Sequence, residues 1–138
     1  MKDFPEKDLQ TAIIPTLSVR NGAAAIDFYK KAFGAVEIMR ITDPEGSVVA
    51  EMSVDEARFF LADESPAHGN YSPLSVGGVT VRIALMVANP DAVADRAVAA
   101  GATVVYPVAD QSYGYRLGQF SDPFGHQWEI GRKIQDRL

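Results

Sequence analysis

Pro15–Ala35 reads PTLSVRNGAAAIDFYKKAFGA, and Ile83–Ala102 reads IALMVANPDAVADRAVAAGA. Both pass from an apolar strand-like run to an asparagine, then to an amphipathic stretch, then to a Gly-Ala stop. In the first, Leu17 and Val19 alternate with Thr16 and Ser18, the two-residue period of a strand. Asn21 can cap a helix, and Ala25, Phe28, Tyr29 and Ala32 fall at i, i+3, i+4 and i+7 on one helical stripe. Asp27 and Lys31 form an i,i+4 pair on the outer side, and Gly34 ends the helix in the left-handed conformation. In the second, Asn89 is the cap and Pro90 occupies the first helical position, where its missing N–H costs nothing. Val93, Ala97 and Ala100 make the stripe, and Gly101 stops it.

Three short strands are expected after each helix. In the first half these are Val36 to Ile41, Ser47 to Val54 and Arg58 to Ala62, separated by the turns Asp43-Pro44-Glu45-Gly46 and Asp55-Glu56. In the second half they are Thr103 to Val108, Tyr115 to Ser121 and His126 to Ile130, with Asp122-Pro123-Phe124-Gly125 as the last turn. Leading strands run from Ala12 to Val19 and from Val79 to Val87. The chain therefore reads as two βαβββ modules, residues 12–62 and 79–132, joined by a Pro, Gly, Ser and Asn-rich linker at 63–78. The competing arrangement is one α+β sheet with no repeat; the agreement of both caps, both stops and the strand order favours the repeat. The fold class is α+β, with the modules forming a cupped eight-stranded mixed sheet whose hollow is the natural ligand site.

Composition narrows the partners. The 138 residues carry 13 Lys and Arg against 18 Asp and Glu, a net charge of -5, without a basic run. Nucleic acid and anionic membrane are poor partners for such a surface. No cysteine is present, which removes thiolate nucleophiles and Cys-based metal sites and fits a reducing compartment. The N-terminus, MKDFPEKDLQTAI, lacks the apolar stretch of a secretory signal, so Asn70-Tyr71-Ser72 is a chance glycosylation match and the expected location is cytoplasmic.

Ile14 to Ala35, with its Phe28-Tyr29 and Phe33-Gly34, and Ser121 to Ile130 (SDPFGHQWEI) resemble the vicinal oxygen chelate superfamily: glyoxalase I, bleomycin-resistance proteins and extradiol dioxygenases. The nearest likeness is to its PhnB-like, glyoxalase-related branch, over residues 12–132. The resemblance implies a metal gripped by His and Glu on the first and last strand of each half. Those points fall on Ile14 (or Pro15), Phe60, Arg82 and Glu129. Only Glu129 can bind a divalent ion, because the others offer no lone pair or are permanent cations. One carboxylate is too few for a stable site, so neither metal nor other cofactor is expected.

Strand alternation then gives the cup lining: Thr16 and Ser18 beside Ile14, Arg58 beside Phe60, Ala84 and Met86 beside Arg82, and Gln127 beside Glu129. Arg82 would meet Glu129 in a charge-assisted contact, or hold an anionic ligand such as a carboxylate or phosphonate. Tyr113 and Tyr115, in the aromatic segment SYGYRLGQF, could stack on a planar ligand. The linker with His68, Asn70 and Tyr71 is either a lid or a flexible connector. His126 shares a face with Trp128, away from the cup. The expected function is metal-independent binding of a small amphipathic or anionic molecule. A lyase, isomerase or dioxygenase using Glu129 as base, and a ligand-free dimerisation module, are the alternatives. The resemblance also implies a homodimer, with halves pairing within one chain or exchanging between two.

Overall fold

The computed structural model describes residues 4–136. Its strands are β1 (Thr16–Val19), β2 (Val36–Thr42), β3 (Val48–Val54), β4 (Ala57–Asp63), β5 (Arg82–Met86), β6 (Thr103–Asp110), β7 (Tyr115–Ser121) and β8 (Gln127–Lys133). The helices are α1 (Gly22–Phe33), α2 (Pro73–Val76) and α3 (Pro90–Ala100). The repeat is real: one sheet is ordered β1-β4-β3-β2 and the other β5-β8-β7-β6. In each, the strand before the helix pairs in parallel with the last strand, and the rest is antiparallel. The eight strands thus form two mixed sheets of four.

The local signals act as the sequence requires. The Asn21 and Asn89 side chains accept from the Ala24 and Ala92 amides. Gly34 takes the left-handed conformation at φ 66°, and its N–H reaches the Lys30 carbonyl. Two leading strands are shorter than expected. Residues 12–15 stay outside β1 because Pro15 has no N–H to give a ladder, although its carbonyl still accepts from Phe60. Residues 79–81 stay outside β5 and line a cavity instead.

The linker carries local structure of its own. It holds a 3-10 turn (Pro66–His68) and α2. The Glu64 carboxylate accepts from the Ser72 amide and the Ser75 hydroxyl, and Arg20 also donates to Ser75. Those donors, the Ser72 N–H first, hold the Glu64 carboxyl below its ordinary range. His68, without an evident partner in the sequence, meets the Ser65 hydroxyl at 2.6 Å.

Both modules close on one core. α1 and α3 pack on each other and on the facing surfaces of the two sheets. Leu17, Val19, Phe28, Tyr29, Phe33, Phe59, Phe124, Trp128 and Ile130 are all buried there. Phe33 and Trp128 rings lie 4.7 Å apart, Tyr29 and Phe59 5.2 Å, and Phe59 and Trp128 5.9 Å. Such aromatic pairs add about 0.5–1.5 kcal/mol each beyond area burial. Arg96 of α3 donates to the Lys31 carbonyl at the end of α1, so one module caps the other's helix.

At the centre lies Asp122, 5% exposed. One carboxylate oxygen accepts from the Phe124 and His126 amides at 2.9 and 3.0 Å, closing the DPFG turn. The other accepts from the Trp128 indole at 2.9 Å and from the Tyr29 hydroxyl. Burial, then the neighbouring Asp122 charge, pushes the Tyr29 phenol well above its ordinary value. The SDPFGHQWEI motif is thus a clasp between the modules, joining the last turn of the second half to the helix of the first.

Candidate functional site

Because the helix-bearing faces of both sheets look inward at one core, the opposite faces look away from each other. Most of the residues expected to line one cup therefore fall on two separate open faces within a chain, although Arg58 and Ala84 border one small hollow of about 160 Å³ between the modules. Thr16, Arg58 and Phe60 lie on the first-module face; Arg82, Met86, Gln127 and Glu129 lie on the second. The cause is the packing of α1 on α3, which occupies the side where each sheet is apolar.

The first-module face mixes apolar and polar side chains. Phe60 is half-buried and Thr16 is exposed on the edge strand. Phe60 pairs across the ladder with Glu51, whose carboxylate takes an ion pair from Arg58 at 3.1 Å. Val49 of β3 continues the surface, as do Met39 and Ile41, which a bulge in β2 between Glu37 and Met39 brings there.

The second-module face is polar. Val79, Thr80, Arg82, Gln119, Gln127 and Glu129 enclose a basin of about 420 Å³. Gln119 donates to Gln127, which donates to the Ser121 hydroxyl, so the amides are fixed in orientation. Arg82 Nε stands 3.7 Å from Glu129 Oε1, with the side chains 61% and 23% exposed. The contact expected from the sequence is thus a loose ion pair without a direct hydrogen bond. β5 is an edge strand, and Arg82 lies in register with Gln127 while Glu129 faces Ala84. A pair this open contributes about 0–1 kcal/mol, and it leaves both groups with unused hydrogen-bonding capacity. Met86 is exposed beside them.

Tyr113 and Tyr115 flank this face with ring centroids 6.3 Å apart. Tyr106 joins them on β6, in register with Gln119, and the sequence reading missed it. Desolvation first, then the Tyr113 and Glu129 neighbours, raises its phenol above the ordinary value. Two register shifts in β6 hide its face from simple alternation; Pro107 was the available warning of a bulge. Glu51 was also missed, though counting one strand outward from Phe60 finds it.

His126 lies off these faces, as expected. Its half-buried ring donates from Nε2 to the Ser18 carbonyl at 2.9 Å, tying the modules together. At the four ligand points only Glu129 offers a donor. Among the described residues no three His, Cys, Asp or Glu side chains come close enough to share an ion. The donor set does not fit the superfamily's metal.

Residues 11–130 match the family model of the Glyoxalase/Bleomycin resistance protein/Dioxygenase superfamily. The chain belongs to that superfamily. It is 40% identical over 133 residues to the uncharacterized protein Rv0887c of Mycobacterium tuberculosis, covering 94% of this chain and 78% of that one. Its fold is similar to that of TioX from Micromonospora sp. ML1, at 24% identity and a TM-score of 0.67, covering 93% of this chain and 100% of that one. It is also similar to the fosfomycin resistance protein FosX from Listeria monocytogenes, at 18% identity and a TM-score of 0.70, covering 91% and 94%. At these identities the structural likenesses carry the fold alone. No helix among the described residues is long and apolar enough to cross a membrane.

Proposed function

We propose that this superfamily member, of the PhnB-like branch, binds a small amphipathic or anionic molecule without a metal, with the Arg82–Glu129 basin as the polar half of the site. The observation that carries the reading is the splayed ion pair in an oriented polar basin. A guanidinium with free N–H groups suits a carboxylate or phosphonate. Glu129 beside it suits a hydroxyl or amine on the same ligand. Tyr106, Tyr113 and Tyr115 offer aromatic surface to its apolar part. The polar second-module face and the first-module face, with Phe60, Met39 and Ile41 beside the Arg58–Glu51 pair, are taken as complementary halves of a cup. Since they diverge within one chain, the reading requires a homodimer in which each cup is built from both copies, with Arg58 and Phe60 supplied by the partner. A second reading, Glu129 as general base, is favoured by the absence of any hydrogen bond to its carboxylate among the described residues.

Calorimetric titration with benzoate and methylphosphonate tests the binding reading on protein purified without chelator. Saturable binding that survives EDTA and weakens at least tenfold in Arg82→Ala is expected. Stoichiometric metal in the purified protein, or anion binding indifferent to Arg82→Ala, would reject it. Mixing Arg58→Ala and Arg82→Ala proteins tests the shared cup. Heterodimers should regain one intact site per pair; no recovery after subunit exchange refutes sharing.

A further inference from the structure

A second cavity, of about 390 Å³, lies between the modules beneath the linker. Its walls include Leu17 of β1, Tyr71, Pro73 and Val76 of the linker, Ile83 of β5, and His126. Leu17 and Ile83 point to the core side of their sheets, so this space lies behind the open faces; it meets them at its rim, through Thr16 on the first-module face and through Val79 and Thr80, which border both hollows. The volume falls within the range of small-ligand sites.

Three features mark it as a preformed site. Its roof is tied down: Glu64, Ser72, Ser75 and Arg20 hold the linker by hydrogen bonds, and Pro73 packs so tightly on the DPFG turn that a Cβ on Gly125 would come within 2.7 Å of it. Around its mouth, Tyr71, Val76 and Val81 are large apolar side chains left 52%, 61% and 67% exposed, a local concentration that isolated surface apolar residues do not produce. The third feature is His126. The Ser18 carbonyl can only accept, so the ring nitrogen bonded to it is the N–H. In the neutral ring, Nδ1 is then an acceptor, and no partner occupies it among the described residues.

We infer that this inter-module cavity is a binding site for a small, mainly apolar molecule bearing one hydroxyl, of the phenol or short-alcohol class, with the hydroxyl donating to His126. A carboxylate fits poorly, since no cation lines the wall. An occupant would touch both modules and the linker together.

The test uses 4-ethylphenol, ethylbenzene and benzoate as probes, read by two-dimensional amide NMR of the whole protein. The expected result is saturable shifts at Leu17, Val81 and His126 with 4-ethylphenol, and none at Gln119 or Glu129. Ethylbenzene should bind about tenfold more weakly, the effect of one hydrogen bond. Val76→Trp and Val81→Trp, both at exposed positions, should each fill the cavity and abolish the shifts. No saturable shift with 4-ethylphenol would overturn the site. Shifts confined to the Glu129 face, or shifts unaltered in both tryptophan variants, would do the same. Ethylbenzene binding as tightly as 4-ethylphenol would overturn the hydroxyl assignment. Shifts that vanish as protein concentration rises would mean a second copy covers the cavity, which also overturns the proposal.

Discussion

Replacing Asp122 by asparagine should damage the fold far more than its one-atom change suggests. The carboxylate receives two backbone N–H groups on one oxygen, and an indole N–H and a phenol O–H on the other. An asparagine that keeps its oxygen on the turn amides must point its NH₂ at Tyr29 and Trp128. Tyr29 can rotate its hydroxyl and accept; the indole only donates. Trp128 is 3% exposed, so its N–H is stranded at about 1–3 kcal/mol. The turn bonds also lose their charge assistance, roughly 1 kcal/mol more. A loss of about 2–4 kcal/mol follows, against a total stability of about 5–15 kcal/mol. The assay is urea unfolding at neutral pH. Trp128 is the sole tryptophan, so its fluorescence reports directly from the clasp. Asp95→Asn, at an exposed position with no hydrogen bond among the described residues, serves as the control and should stay within about 0.5 kcal/mol. A shift of similar size for both variants would refute the clasp. A double-mutant cycle with Tyr29→Phe should give a coupling above about 0.5 kcal/mol, as for residues in one network.

Tyr29 also predicts an alkaline limit. Its phenol ionises at higher pH when folded than when unfolded, so its contribution is full below about pH 10 and is lost as pH rises beyond that; urea midpoints should fall less steeply above pH 10 in Tyr29→Phe than in the wild type. At the acid end, Arg40 and then Lys30 hold the Glu37 carboxyl down at about 2. Its stabilisation is therefore present above the ordinary carboxylate range and lost as pH falls toward 2. Glu37→Gln should flatten that part of the stability curve, and an unchanged slope would rule the pair out as a contributor. A Cβ at Gly118 would lie 2.6 Å from the Val108 amide nitrogen and 2.7 Å from the Tyr106 carbonyl oxygen. Gly118→Ala should cost about 1–3 kcal/mol through displacement of the β6 bulge and should disturb Tyr106 resonances first; a wild-type midpoint would show that β6 yields freely.

The repeat, both helices with their asparagine caps, the glycine stops and the strand order could be read from the chain because each depends on neighbours within one module. Local periodicity and capping chemistry fix these, whatever the modules later do. The substitutions at the ligand points were equally legible, since a phenylalanine or an arginine lacks a free lone pair in any fold. Three things were decided only in space. Asp122 became the clasp because the partners of its second oxygen, Tyr29 and Trp128, meet only when the modules dock. The linker folded back on itself because Glu64 found its donors eight and eleven residues away. The expected cup divided into two faces because α1 and α3 pack against each other as well as on their own sheets, which turns the helix-bearing faces inward. Alternation along a strand says which side chains share a face. It does not say what that face looks at, because that depends on how one sheet packs against another.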